Sequence, residues 1–260
     1  MVFVPLQEQF NHMPEHADHS KPATHFPASF ATTRWSLVVA AGDDSAETSQ
    51  QALEALCAAY WPPVYAYVCR VANSEVARDL TQSFFVHLLE KKAIGKANPD
   101  RGRFRSFLLT ALKNYLANER DKQRTLKRGG GKILSLDFQT ADSQAGIEPF
   151  SDLTPEREFE RRWVLTLIEL VLESLKNELV ATGKSEHFDA LKQSLTGEMS
   201  QFDYEFAGKT LEITPAAARQ AGYRMRNRYR ELFRQEVART IDDSTPVDEE
   251  IRRLLDAMNG

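Results

Sequence analysis

Phe202 to Thr240 reads FDYEFAGKTLEITPAAARQAGYRMRNRYRELFRQEVART. Asp203 is placed to cap a short helix and a turn follows. Thr214 and Pro215 then open a second helix, because a hydroxyl suits the N-cap and a proline suits the first helical position. In that second helix Ala218, Gly222, Met225, Tyr229 and Leu232 recur at three and four residues and can face a core. This leaves Arg219, Tyr223, Arg226 and Arg230 outward, with Arg224 and Arg228 flanking the seam. Ala216 and Ala217 are small enough for the backbone to approach a major groove. Short helix, turn and capped basic helix form the plan of a helix-turn-helix DNA reader. The competing reading is an arginine-rich amphipathic helix that pairs with the acidic remainder of the chain.

That remainder is strongly acidic. Arg219 to Arg239 carries seven Lys/Arg against two Asp/Glu, and a second stretch, Arg101 to Leu134, carries ten against two. Together they sum to +13 in a chain of net charge −4, so the other residues sum to −17. Charge segregated this sharply suits two surfaces for a polyanion on a body that is not a general nucleic-acid glue.

The length of 260 residues, with 42% hydrophobic and 10% aromatic residues, fits two modest globular domains. No apolar run approaches the roughly 20 residues that span a bilayer, and the N-terminus lacks a basic-then-apolar signal pattern. The expectation is a soluble, cytoplasmic protein without membrane insertion. Cys57 and Cys69 are twelve apart, which is no metal-ligand spacing, and they read as small core residues. His12, His16, His19 and His25 crowd the first 25 residues with Pro5, Pro14 and Pro22, which break any helical ligand face. Residues 1–30 therefore read as a disordered tail.

Beyond Phe30 apolar residues repeat at three and four, and the fold class reads as all-α: two helical domains joined by a flexible linker, the second containing the helix-turn-helix. From Gln50 to Val71, Leu53, Leu56, Tyr60, Val64 and Val68 mark one helix, or a pair kinked at Pro62 and Pro63. A helix capped by Asn73 or Ser74 buries Val76, Leu80, Phe84 and Leu88 and sets Asp79, Gln82, Ser83, Val86 and Glu90 on another side, where a solvated face is the plain reading. Next, Phe104, Phe107, Leu108, Ala111, Leu112, Tyr115 and Leu116 form a stripe ringed by Arg103, Arg105, Lys113, Arg120, Lys122, Arg124, Lys127 and Arg128. A solvated helix would mix signs at four-residue spacing, and this one barely does. Gly129, Gly130 and Gly131 stop the pattern; RGGGK lacks the spacing of a phosphate-cradling loop. The domains expected are 31–128 and 154–240, with 129–153 as linker and 241–260 as an acidic C-terminal tail or helix. The second domain opens with Thr154 as cap, Pro155, and Glu156 and Glu158 in the first turn, ahead of the stripe Phe159, Trp163, Leu167, Leu170, Val171 and Leu175.

From about Phe26 onward the chain resembles bacterial RNA polymerase sigma factors of the extracytoplasmic-function (ECF) type, in the version opening FATTRWSLV (Phe30–Val38). The resemblance rests on the order YWPPVYAYVCRVA, ARDLTQSFFVHLLEK, RGRFRSFLLTALKNYLANERDKQRTLKRGGG and then the Phe202–Thr240 stretch. It implies a non-enzymatic transcription initiation factor with no cofactor, metal or catalytic residue. In such proteins the helix matching ARDLTQSFFVHLLE docks on the clamp of core RNA polymerase, which gives Asp79, Gln82, Ser83, Val86 and Glu90 a partner. The next helix and its preceding loop engage the −10 element of promoter DNA and hold a flipped base, implicating Arg103, Arg105, Lys113, Asn114, Asn118, Arg120, Lys122 and Arg124. The C-terminal domain reads the −35 element with Thr214, Ala217, Arg219, Tyr223, Arg224 and Arg226 and sits on the polymerase flap. An anti-sigma factor or a regulatory kinase is a further candidate partner.

The sequence departs from that pattern in three places. Leu211-Glu212 stands where the family turn carries Leu-Gly, so the positive-φ position is either filled by a less permissive residue or shifted. The tail to His25 has no counterpart, and the segment from Thr154 to Gln201 is longer than the compact family domain. The alternative function is a stand-alone helix-turn-helix transcriptional regulator, for which no long heptad segment offers a dimer contact. A nucleic-acid enzyme has little support, since no carboxylate or histidine cluster accompanies the basic helices.

Overall fold

The computed structural model describes Val38, Ala41 and residues 46–91, 93–98, 102–128, 153–197, 199–242 and 244–259, without the side chains of 46–50, 74–75, 123–128 and 259. Among the described residues there are eight α-helices and no strand, so the all-α reading stands. The expected N-terminal tail 1–30 and linker residues 129–152 lie outside the described residues.

The chain divides into two compact units, with the division inside a helix between Thr166 and Leu167. In the first unit, α1 (Ala46–Val71) is a single helix that continues through Pro62 and Pro63. Leu56, Tyr60, Val64 and Val68 are buried along it, as their spacing predicts, and Leu53 is half-buried. Helix α2 (Ser74–Glu90) starts where the Asn73 carbonyl accepts the Val76 and Ala77 amides at 3.1 and 3.0 Å. Leu80, Phe84 and Leu88 are buried, joined by Ala77, Phe85 and Thr81, whose hydroxyl donates to the Ala77 carbonyl at 2.8 Å. Helix α3 (Phe104–Arg128) buries Phe104, Leu108, Leu112, Tyr115 and Leu116. Aromatic pairs knit the three together: Tyr60 meets Phe104 edge-on at 5.3 Å, Trp61 stacks on Phe85 at 5.7 Å, and Phe84 meets Tyr115 at 5.6 Å.

Helix α4 (Pro155–Ala181) supplies Pro155–Thr166 to this unit. Thr154 caps it, accepting the Arg157 amide at 3.3 Å, and Phe159 and Trp163 are buried. The Arg70 guanidinium donates to the Leu153 carbonyl at 2.7 Å, fixing the chain just ahead of the helix. Sequence patterning set 154 as the start of a separate body; the apolar first turns of α4 belong instead with α1–α3.

The second unit takes Leu167–Ala238 and Val247–Asn259. Leu167, Leu170, Val171 and Leu175 of α4 are buried in it. A short helix α5 (Ser185–Leu191) and a 3-10 turn (Lys192–Leu195) lead to α6 (Gln201–Thr210). The cap of α6 is Ser200, not Asp203: the Ser200 hydroxyl accepts the Asp203 amide at 3.2 Å and the Asp203 carboxylate accepts the Ser200 amide at 2.8 Å. This reciprocal box needs Asp203 three residues inside the cap. Helix α7 (Pro215–Ala238) opens on Thr214, whose hydroxyl accepts the Ala217 amide at 3.2 Å, and it buries Ala218, Gly222, Met225, Tyr229 and Leu232 as predicted. The C-terminal segment forms α8 (Val247–Asn259), which packs on α7 and buries Ile251, Leu254 and Leu255, with Asp248 ion-paired to Arg234.

Between α6 and α7 the positive-φ position is filled, not shifted. Glu212 has φ +54°, the Ile213 amide donates back to the Gly208 carbonyl at 2.9 Å, and the Glu212 amide donates to Lys209 at 3.3 Å. These are the two bonds of a Schellman cap, whose left-handed residue is usually glycine. Gly208 is required for a different reason, because a Cβ there would lie 2.9 Å from the Ile213 carbonyl oxygen. Glu212→Gly is therefore expected to stabilise the unit by about 0.5–1 kcal/mol, the relief of left-handed strain less the entropy glycine adds to the unfolded chain. Gly208→Ala is expected to destabilise it, and denaturant unfolding of the two variants reads the opposite signs.

Candidate nucleic-acid interface

Helix α2 presents one surface. Asp79, Gln82, Ser83, Val86 and Glu90 are all exposed, on the side away from its buried row. Val86 is 46% and Leu89 39% exposed, so two apolar side chains sit among carboxylates and an amide. Ser83 also shares a hydrogen bond with the Tyr115 hydroxyl, whose pKa burial pushes up. Such a stripe offers a cationic partner both charge and an apolar centre.

Helix α3 divides its expected DNA set. Asn114, Asn118 and Lys122 are exposed, and Arg103 and Arg120 are half-buried. Lys122 pairs with Glu119 at 2.7 Å, which raises its pKa. Lys113 is exposed but pairs with Glu156 in the first turn of α4 at 2.6 Å. The side chain of Arg124 lies outside the described residues. Arg105 departs from expectation: it is 1% exposed, its guanidinium lies 4.4 Å from the centre of the Trp163 ring, and Glu160 is 3.9 Å away. A phosphate cannot reach it there. It joins α3 to the start of α4, and a guanidinium over a buried indole is a strong cation–π arrangement. Local sequence does not show this contact, because Trp163 lies in the stripe that opens the second expected domain.

On α7 the structure follows the spacing in part: Arg219 and Tyr223 face outward as expected, Arg224, expected at the seam, is also exposed, and Arg230, expected outward, is half-buried. Thr214, Ala217, Arg219, Tyr223 and Arg224 are exposed, and Arg226 is half-buried. Thr214 spends its hydroxyl on the helix cap. Arg228 is turned to the protein itself, bidentate to Glu178 at 2.6 and 2.7 Å and bonded to Glu231 at 3.0 Å, which raises its pKa. Arg230 is lowered by burial and by Arg226 beside it. On α6, Phe202 and Phe206 are 80% and 72% exposed. Their four-residue spacing, on the side opposite buried Tyr204, is the signal in the sequence that marks them.

Among the described residues no group of His, Cys, Asp or Glu could hold a metal ion, and no helix is long and apolar enough to cross a membrane. Cys57 and Cys69 are free and half-buried, and burial pushes both thiols up.

Residues 56–125 match the family model for sigma-70 region 2, a span running from within α1 through most of α3. Neither a curated protein nor a solved structure matches the chain. The match supports a sigma-70 family factor, and such a region marks a protein that brings RNA polymerase to promoters by binding core polymerase and −10 DNA.

Two measurements check the junction of α3 with α4. Trp163→Ala should cost about 3–5 kcal/mol in denaturant unfolding, the range for losing a buried large aromatic. The Glu156 carboxyl lies below its ordinary value of 4.5, chiefly through its hydrogen bond with Lys113. The pair's contribution is thus complete above pH 4.5 and is lost as pH falls through the depressed folded value. NMR titration should show the Glu156 midpoint below 4.5 and its return toward 4.5 in Lys113→Ala.

Proposed function

We propose that this chain is an alternative sigma factor of the extracytoplasmic-function type, a cytoplasmic, non-catalytic protein that binds core RNA polymerase and directs promoter recognition, DNA opening and transcription initiation. The observation that carries this reading is the region 2 match over 56–125, which falls on the helices bearing the acidic α2 stripe and the exposed amides and cations of α3.

In this reading Asp79, Gln82, Ser83, Val86 and Glu90 form the docking face for the polymerase clamp. Arg103, Asn114, Asn118, Arg120, Lys122 and Arg124 serve the −10 element, with Lys113 shared between that surface and Glu156. An unstacked base needs amide or aromatic groups for the base and cations for its phosphates, and α3 exposes Asn114 and Asn118 one turn apart next to Lys122. Arg105 supports the unit from inside. Helices α6 and α7 are read as a helix-turn-helix for the −35 element, with Arg219, Tyr223, Arg224 and Arg226 toward DNA and Thr214 and Ala217 at the helix start. The second unit is also read as the part that sits on the polymerase flap. Opening of the strands would draw on the summed binding energy of these surfaces.

Co-purification with core polymerase, followed by promoter-dependent run-off transcription, tests the proposal. The chain should be retained by core enzyme, and Glu90→Lys should weaken that retention; no retention of the wild-type chain would end the reading. With holoenzyme formed, Lys122→Ala should reduce the slope of log affinity against log salt by about 0.7 to 0.9, one phosphate contact. An unchanged slope removes Lys122 from the DNA surface.

A further inference from the structure

We propose that Tyr204, on α6, is a positioning residue for DNA recognition: it holds Arg219 with its ring and Arg226 with its hydroxyl, leaving both guanidinium charges available to DNA. The inference rests on the −35 reading of α7. Tyr204 is 5% exposed, so it is poorly placed to touch DNA itself. The Arg219 guanidinium lies 5.3 Å from the centre of its ring, within cation–π reach, and Arg226 donates to its hydroxyl at 3.4 Å. Arg219 and Arg226 are seven residues apart, two turns along one edge of α7, with Gly222 between them. A Cβ at Gly222 would lie 3.4 Å from Tyr204 Cε1 and 3.6 Å from its hydroxyl oxygen, so the glycine gives the ring its place against the helix.

The chemistry of the support separates these two arginines from others on α7. Arg228 is held by Glu178 and Glu231, and Arg234 by Asp248, so in each the cation is neutralised where it is fixed. An aromatic face and a phenol hydroxyl fix a guanidinium without cancelling its charge. A long side chain already restrained loses less freedom when it meets a phosphate or a base edge, and binding is correspondingly tighter.

A double-mutant cycle with the reconstituted holoenzyme tests this. The probe is the duplex that wild-type holoenzyme enriches from a pool randomised upstream of the start site. Arg226→Ala should weaken binding roughly tenfold in the wild-type background and by only about threefold in the Tyr204→Phe background, since that background has lost the restraint. Tyr204→Phe keeps the ring, so the penalty for Arg219→Ala should be unchanged in it. Tyr204→Leu should lower the Arg219→Ala penalty as well. Thermal melting establishes that each variant is folded; if Tyr204→Leu is not, the Tyr204→Phe arm decides. Strict additivity of Tyr204→Phe with Arg226→Ala overturns the proposal while leaving the −35 reading intact. Failure of wild-type holoenzyme to enrich any upstream sequence overturns that reading, and this inference with it.

Discussion

A guanidinium taken out of water has to be met by other groups, and Arg105 is met by Trp163 and Glu160 from the first turns of α4. The first unit is therefore incomplete at the end of α3. Pro155–Thr166 closes it, with the Leu153 carbonyl bound by Arg70 and Lys113 paired with Glu156 at the rim. The exposed rows of α2 and α3 are the sides left over once these contacts are made.

The same rule sorts the cations of α7. On α7 a cation held by carboxylates serves the fold, whereas an exposed one held by an aromatic ring keeps its field. Arg228 falls in the first class and Arg219 in the second. The competing sequence reading, in which the basic helix pairs with the protein's own acids, is thus true of Arg228 and Arg234 but does not describe Arg219.

Helix periodicity was legible because burial follows it closely: Leu56, Tyr60, Val64 and Val68 on α1, and Ala218, Gly222, Met225, Tyr229 and Leu232 on α7, lie inside as their spacing requires. The exposed side of α2 followed from the same geometry. Arg105 was misread because a cation beside an apolar stripe looks solvent-facing until its partner is known, and that partner, Trp163, is 58 residues away in sequence. The Asp203 cap was misplaced by three residues, since a capping box contains two side chains able to cap and local sequence does not rank them. Glu212 stood out only against the Leu-Gly of the family turn, and backbone geometry shows that the left-handed position stayed in place.

The ion pair between Lys113 and Glu156 gives two events a common ledger. An anion that draws the Lys113 ammonium away from the carboxylate sets occupancy of that face against closure of the α4 start by one reciprocal factor. Whatever tightens the clasp lowers the anion's affinity equally, and rising ionic strength loosens both together.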